Sequence, residues 1–355
     1  MARPSAAGSV RRRAAAGALL AALLSGPCSS LAGAAVASAL SPAERVAILE
    51  LGPWPPGPLR DPSNPASNQP AGIALGEQLF HSPRLSPTGL RCASCHEPWR
   101  HFADGRGVAQ GVAAGSRNTP SLLDAARHRH FGWDGARDAL WLQSLRPLRD
   151  AREMPASDAD VASLVRADSA LATRYAAVFG GLPDRDDARV TRDVGLALAA
   201  YVETLVTPRT PFDDWRDRLA TGAEPPASAA FADAARRGLR LFVGRGGCSA
   251  CHAGPTLGDD GFHASLVHSL GVDGTPDPGH ADALANAFRT PGLRGAAATP
   301  PYFHDGSAAR LSDAIRPHAT LPGVVPASLT RDEIGDIVAF LRTLSTAVPD
   351  DPPSR

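Results

Sequence analysis

Two pentapeptides carry the most specific chemistry in this 355-residue chain: Cys92-Ala-Ser-Cys95-His96 and Cys248-Ser-Ala-Cys251-His252. Two thiols three positions apart, followed at once by an imidazole, are the attachment signature of haem c. The thiols add to the two vinyl groups of one porphyrin, and the adjoining His reaches the iron from the same side. A zinc site and a redox dithiol are the alternatives for any CxxC. Zinc usually draws four ligands from paired motifs close together. A redox pair needs neither the His nor a second copy far along the chain. The pattern therefore points to two covalently bound haems, with His96 and His252 as iron ligands. The groups opposite them decide the function: an iron with two strong ligands only carries electrons, whereas one with an open position can bind peroxide.

The fifth cysteine, Cys28, lies in an N-terminal segment that reads as an export signal. Arg11 to Arg13 form a positive start, and Ala14 to Leu24 an apolar run too short to span a bilayer. Ala37-Ser38-Ala39 offers a small-residue cleavage site, with Ala32-Gly33-Ala34 as a second. An uncleaved anchor is the alternative; a lipoprotein is disfavoured because Pro27 precedes Cys28. Residues 1–39 are expected to be a signal peptide, which places the mature chain in the periplasm. No later apolar run is long enough to cross a membrane. Exported proteins normally use Cys in disulfides, yet all four remaining Cys sit in the two motifs, so a different covalent use is implied. Every basic residue is Arg, and four of the 36 fall in the leader. The mature chain then carries 32 Arg against 36 acids, about −4, which gives no electrostatic case for nucleic acid.

The segments that must position these groups are helical. Sustained period-2 alternation is absent, whereas apolar stripes at helical spacing run over about 191–205 (Val194, Leu198, Tyr201, Val202, Leu205) and 330–344 (Ile334, Ile337, Val338, Leu341, Leu344). The Pro-rich stretch 52–70 reads as an extended lead-in, 221–228 as a linker, and the tail from 348 as frayed. TRDVGLALAAYVETL (191–205) and TRDEIGDIVAFLRTL (330–344) align without a gap, and Gly76-x-x-Leu79-Phe80 is echoed by Gly238-x-x-Leu241-Phe242 before each Cys pair. The shared order of helix, CxxCH, long middle and amphipathic helix outlines a duplicated unit.

Further motifs make the chain resemble the bacterial di-haem cytochrome c peroxidase and MauG superfamily. They are Arg117-Asn118-Thr119-Pro120-Ser121, Phe131-Gly132-Trp133-Asp134-Gly135, Pro147 with Arg152-Glu153-Met154, Phe288-Arg289-Thr290-Pro291 with Leu293-Arg294, and Tyr302-Phe303-His304-Asp305-Gly306. The resemblance spans nearly all of the mature chain. It implies an all-α fold of two cytochrome c-like domains, 40–220 and 221–355, each with one haem c, the haems near the domain interface. The N-terminal haem, on His96, would be the peroxidatic one, and the C-terminal haem, on His252, the electron-transfer one.

The resemblance also implies site roles. Glu153, twenty residues after Trp133, would move a proton during O–O cleavage; otherwise it is a surface carboxylate. Trp133 would lie between the haems and shorten the electron path; otherwise it is a core Trp. Many family members block the first haem with a loop His at the position of Val112, in Gln110–Ala113. Val cannot ligate iron, and His101 is too close in sequence to His96 to return easily to the opposite face, so the first haem is expected to be open. The second haem's sixth ligand falls on His318, with His268 and His304 as rivals; the only Met residues are Met1 and Met154. A calcium ion between the domains would take Asn118 and the carbonyls of Thr299 and Pro301. The expected reaction is hydrogen peroxide reduction with electrons from a small cytochrome c or cupredoxin. The alternatives are oxidation of a partner protein's side chain, as in MauG, and a di-haem electron carrier without catalysis.

Overall fold

The computed structural model describes residues 39–264, 277, 279, 287–318 and 328–346, apart from the side chains of Ala264 and His318. The expected leader except its last residue, Ala39, the tail from 348 and the rival ligand His268 lie outside the described residues. Among the described residues ten α-helices account for most of the regular structure: α1 Pro42–Leu49, α2 Pro70–His81, α3 Leu140–Arg149, α4 Asp158–Ala167, α5 Ser169–Phe179, α6 Asp187–Val202, α7 Pro211–Ala220, α8 Asp233–Val243, α9 Leu311–His318 and α10 Arg331–Arg342. The stripe at 191–205 begins four residues early, as α6, because Asp186 accepts a bond from the Arg189 N–H and caps the helix there. Thr330 and Glu333 form a capping box that starts α10 where the sequence places it. The Pro-rich lead-in stays non-helical until Pro70 opens α2.

The reading of no strands misses one small feature. Phe262–Ala264 (β1) and Ala287–Arg289 (β2) pair antiparallel, with His263 opposite Phe288. Three-residue strands are too short to show a period-2 signal.

The described residues form two apolar cores. The first gathers α2 to α6 around Leu75, Phe80, Val161, Tyr175 and Leu198. The second gathers α1, α7, α8 and α10 around Ile48, Phe212, Trp215, Phe242 and Phe340. Segments before residue 221 thus serve both cores. Each fully buried Leu or Phe contributes about 1.5–3 kcal/mol.

The sequence echo is a structural repeat. A Cβ on Gly76 of α2 would fall 2.0 Å from the Ala197 carbonyl of α6, and one on Gly238 of α8 would fall 1.9 Å from the Asp336 carbonyl of α10. Ala197 and Asp336 are the matched positions of the two aligned segments. One turn on, Phe80 meets Tyr201 and Phe242 meets Phe340, each pair with ring centroids 5.1 Å apart. The glycines are therefore what lets each haem-motif helix lie directly on its amphipathic partner.

The repeat extends beyond the helices. Asp124 and Gly295, both with positive φ, donate their N–H to the carbonyls of Leu205 and Leu344, again matched positions. Seven residues later come the bridges Phe131–Arg137 and Tyr302–Ala308, then α3 and α9, beginning at Leu140 and Leu311. On this register Trp133 matches His304, and Pro147 matches His318.

Candidate functional site

Both CxxCH motifs fold the same way. Cys92–Ser94 and Cys248–Ala250 are single 3-10 turns in which the backbone N–H of His96 and of His252 donates to the carbonyl of the first Cys, each at 2.9 Å. The His96 Nδ1 lies 3.0 Å from the Phe102 carbonyl and the His252 Nδ1 3.1 Å from the Leu257 carbonyl. A carbonyl can only accept, so Nδ1 carries the proton and Nε2 the lone pair, the tautomer an iron ligand needs. Phe102 and Leu257 both adopt positive φ to aim those carbonyls. Burial holds the His96 imidazole below its ordinary pKa, against the opposing pull of the Phe102 carbonyl and of Asp104 and Glu153.

All four thiols are free of disulfides. Burial pushes Cys92 up to about 12 and Cys95 and Cys248 up to about 11. Among the described residues one group could otherwise hold a metal ion, Cys251 with Asp259 and His263. It borrows a thiol from the second motif, and neither CxxCH supplies four ligands for zinc.

Beside Cys248, Cys251 and His252 opens a cavity of about 350 Å³. Its apolar wall includes Phe242, Leu293, Leu311, Ile315, Ile337 and Leu341, and Asn118 and Trp133 reach it from the other half of the chain. Arg289 also lines it. Burial holds this guanidinium below its ordinary pKa, and its Nε is enclosed without a hydrogen-bond partner. An apolar slot with two thiols, an oriented imidazole and a buried cation fits a haem with its anionic propionates.

The comparisons with known proteins agree with that fit. Residues 70–221 match the model of the di-haem cytochrome c peroxidase family. The chain is 35% identical over 292 residues to the methylamine utilization protein MauG of Methylorubrum extorquens, covering 78% of each. It is 31% identical to cytochrome c551 peroxidase of Nitrosomonas europaea, over 78% of this chain and 80% of that one.

The chain belongs to the di-haem cytochrome c peroxidase family.

Two haem c are the cofactors of such a protein, and its chemistry is that of a peroxidase-type oxidoreductase. Solved structures share the fold. A MauG-like protein associated with microbial copper homeostasis aligns over 83% of this chain and 94% of its own, with a TM-score of 0.69 and 28% identity. The di-haem peroxidase BthA of Burkholderia thailandensis aligns over 84% of this chain and 91% of its own, at 0.65 and 26%.

In this di-haem peroxidase Trp133 is half-buried on the cavity wall, its indole N–H bonded to the Asn118 carbonyl at 2.8 Å. Glu153 lies near the first motif, close enough for its charge to act on both His96 and Cys95. Its carboxylate meets Arg146 at 2.5 Å. Its backbone carbonyl accepts from Val112 at 2.9 Å, and that of Arg152 from Ala113 at 3.0 Å. The Gln110–Ala113 loop is therefore strapped to the Glu153 segment, with the Val112 side chain about half exposed at 51%.

Asn118, Thr299 and Pro301 line the same cavity. The Asn118 amide donates to the Arg106 carbonyl at 2.7 Å, which leaves Oδ1 as its acceptor oxygen. His318 closes α9, but its side chain is outside the described residues. His304 is buried on the cavity and stacked on Phe288, ring centroids 3.9 Å apart. His101 is buried against Gly295, its Nδ1 without a hydrogen-bond partner. Sequence reasoning missed Arg146 and Arg289; Arg289 lies inside a motif already singled out, whereas Arg146 stands just before Pro147, outside the quoted motif. No helix among the described residues is long and apolar enough to cross a membrane.

Proposed function

We propose that this protein is a periplasmic di-haem peroxidase that reduces hydrogen peroxide at an open N-terminal haem held by Cys92, Cys95 and His96. The second haem, held by Cys248, Cys251, His252 and His318, relays or stores electrons. The first site sits in the proposed domain 40–220 and the second in 221–355, whose core is completed by α1 and α7 from before residue 221. The observation that carries this reading is the register of the repeat. Pro147 is the eighth residue of α3, and His318 the eighth of α9. Where the second half offers an imidazole, the first offers a ring without a donor atom, and the neighbouring loop offers Val112.

A haem bound at His96 would supply the iron that binds peroxide and takes up its oxidising equivalents. The chain's own residues do the rest. The Phe102 carbonyl keeps the His96 proton on Nδ1. The Glu153 carboxylate takes the proton from the near peroxide oxygen and returns it to the leaving one. Trp133 stands on the cavity wall of the second site and offers a π-system for the electron delivered from that side. Arg289 would balance a haem carboxylate. Asn118 Oδ1 with the Thr299 and Pro301 carbonyls makes an oxygen-only set suited to calcium. Electrons would come from a small cytochrome c or cupredoxin.

One observation favours a second reading, in which the oxidation is spent on a partner protein's side chain. Met154 is 5% exposed and packed in the first core, so no described Met is placed to raise the second haem's potential. A bis-His haem is easier to oxidise than a His/Met one, which suits storage of oxidising equivalents.

Electron paramagnetic resonance of the ferric protein tests the main reading. A high-spin signal beside a low-spin one is expected, with the low-spin signal lost in His318→Ala. Only low-spin iron and no reaction with stoichiometric peroxide would reduce the protein to an electron carrier. Turnover with a reduced cytochrome separates peroxide removal from partner oxidation.

A further inference from the structure

Glu153 is held at its main chain by Val112, but a carboxylate on a flexible stem still has to be placed within about 3 Å of a peroxide oxygen to relay a proton. Arg146 is built to place it. Its Cα is fixed by the core: Leu145 and Leu148, on either side of it in α3, are 1% and 3% exposed. Gly195 of α6 lets α3 pack close, since a Cβ there would lie 2.8 Å from Leu145 and 3.0 Å from the Trp141 carbonyl. From this frame the guanidinium reaches Glu153 at 2.5 Å through one nitrogen and Asp150 at 3.3 Å through the other. Asp150 in turn is fixed to the same turn, accepting from the Arg152 N–H at 2.9 Å through its carboxylate and from the Glu153 N–H at 3.1 Å through its carbonyl.

We infer that Arg146 is the positioning residue for Glu153, a guanidinium clamp that fixes the carboxylate's direction from a rigid helix. The inference rests on Glu153 acting in proton transfer. An exposed Arg–carboxylate pair is worth little to stability, and the Arg146 side chain is 43% exposed. The pair is therefore better explained by direction than by stability. A planar, two-pronged donor also suits this task in a way the single point charge of Lys does not.

The test uses the purified, haem-loaded protein and cyanide, which binds ferric haem as the anion and so must pass a proton from HCN to a distal base. Glu153→Gln is expected to slow cyanide association by roughly 10²-fold. Arg146→Ala should slow it by roughly tenfold, with part of the rate restored by added guanidinium, which can enter the exposed site. Arg146→Lys should fall between Arg146→Ala and the native protein. The double variant Arg146→Ala, Glu153→Gln should be no slower than Glu153→Gln alone, because the two residues act as one unit. A native rate in Arg146→Ala with a slow Glu153→Gln would overturn the clamp and leave Glu153 in place. Additive losses in the double variant would overturn it too. A native rate in Glu153→Gln would remove the proton-transfer reading beneath it.

Discussion

The Trp133 indole N–H donates to the Asn118 carbonyl at 2.8 Å, and the Asn118 N–H donates to the His304 carbonyl at 2.6 Å. Trp133 and His304 are matched positions of the repeat, so the backbone of one residue, Asn118, joins the equivalent points of the two halves on a shared cavity. Trp133→Phe keeps the ring but orphans the Asn118 carbonyl. A loss of about 1–2 kcal/mol is expected, together with slower exchange of electrons between the two haems. Denaturant unfolding and stopped-flow spectra of the two haem bands after one equivalent of peroxide check the two effects separately.

The strap between the 110–113 loop and Glu153 gives a second prediction. A Cβ on Gly111 would fall 2.3 Å from the Arg152 carbonyl oxygen and 2.5 Å from the Glu153 Cα. Both are backbone, which cannot swing aside as a long side chain would. Gly111→Ala should therefore push the Glu153 segment away, destabilise the protein by about 1–3 kcal/mol, and cut peroxide reactivity while both haems remain attached. Mass spectrometry of the intact protein reads attachment; peroxide kinetics read the displacement.

The parts of this protein that were legible in its sequence are those with covalent or periodic signatures. The CxxCH pairs announce themselves by spacing, and the stripes behind α6 and α10 by period. The duplication was visible too, through Gly76 and Gly238, because only a residue without Cβ survives beneath the Ala197 and Asp336 carbonyls. Arg146, Arg289 and Asp277 were not legible as partners. Their roles come from what lies within reach in space, 160 residues away in the case of Arg117 and Asp277. The β1–β2 pair escaped because three residues carry no period, and the sharing of both cores by segments before 221 because a helix stripe does not say what covers it.

Arg117 and Asp277 set an acid limit. Burial works to raise the Asp277 carboxyl, but two guanidinium bonds from Arg117, at 2.8 and 2.7 Å, and one from the Gly279 N–H bring it net below the ordinary carboxylate range. A carboxylate whose folded value is depressed stabilises the fold fully above its unfolded value, about 3.9, and loses that contribution as pH falls through the folded one. The native protein should thus lose stability steeply below about pH 4. Asp277→Asn should be less stable at neutral pH and show a flatter acid limb. Thermal midpoints across that range measure it; equal slopes in the two proteins would dismiss the pair as the cause.

The Arg294–Asp213 pair is a different case, because both side chains are 1% exposed. The two bonds, at 3.1 and 3.0 Å, are joined by an Arg294 bond to the Pro255 carbonyl at 2.5 Å and by the Trp54 ring, whose centroid lies 3.9 Å from the guanidinium carbon. Asp213 also caps α7, accepting from the Thr210 N–H at 2.9 Å. Removing one member leaves a buried charge without compensation, so Asp213→Ala should cost about 3–5 kcal/mol. Replacing both, as in Asp213→Leu with Arg294→Met, removes the stranded charge and should recover much of that loss. Arg294 lines the cavity beside His252, so the single variant should also disturb the low-spin haem spectrum, and the double variant less. Urea midpoints read the stability and resonance spectra the haem. A single variant as stable as the native protein would mean that water reaches this pair and that the second core is looser than its packing shows.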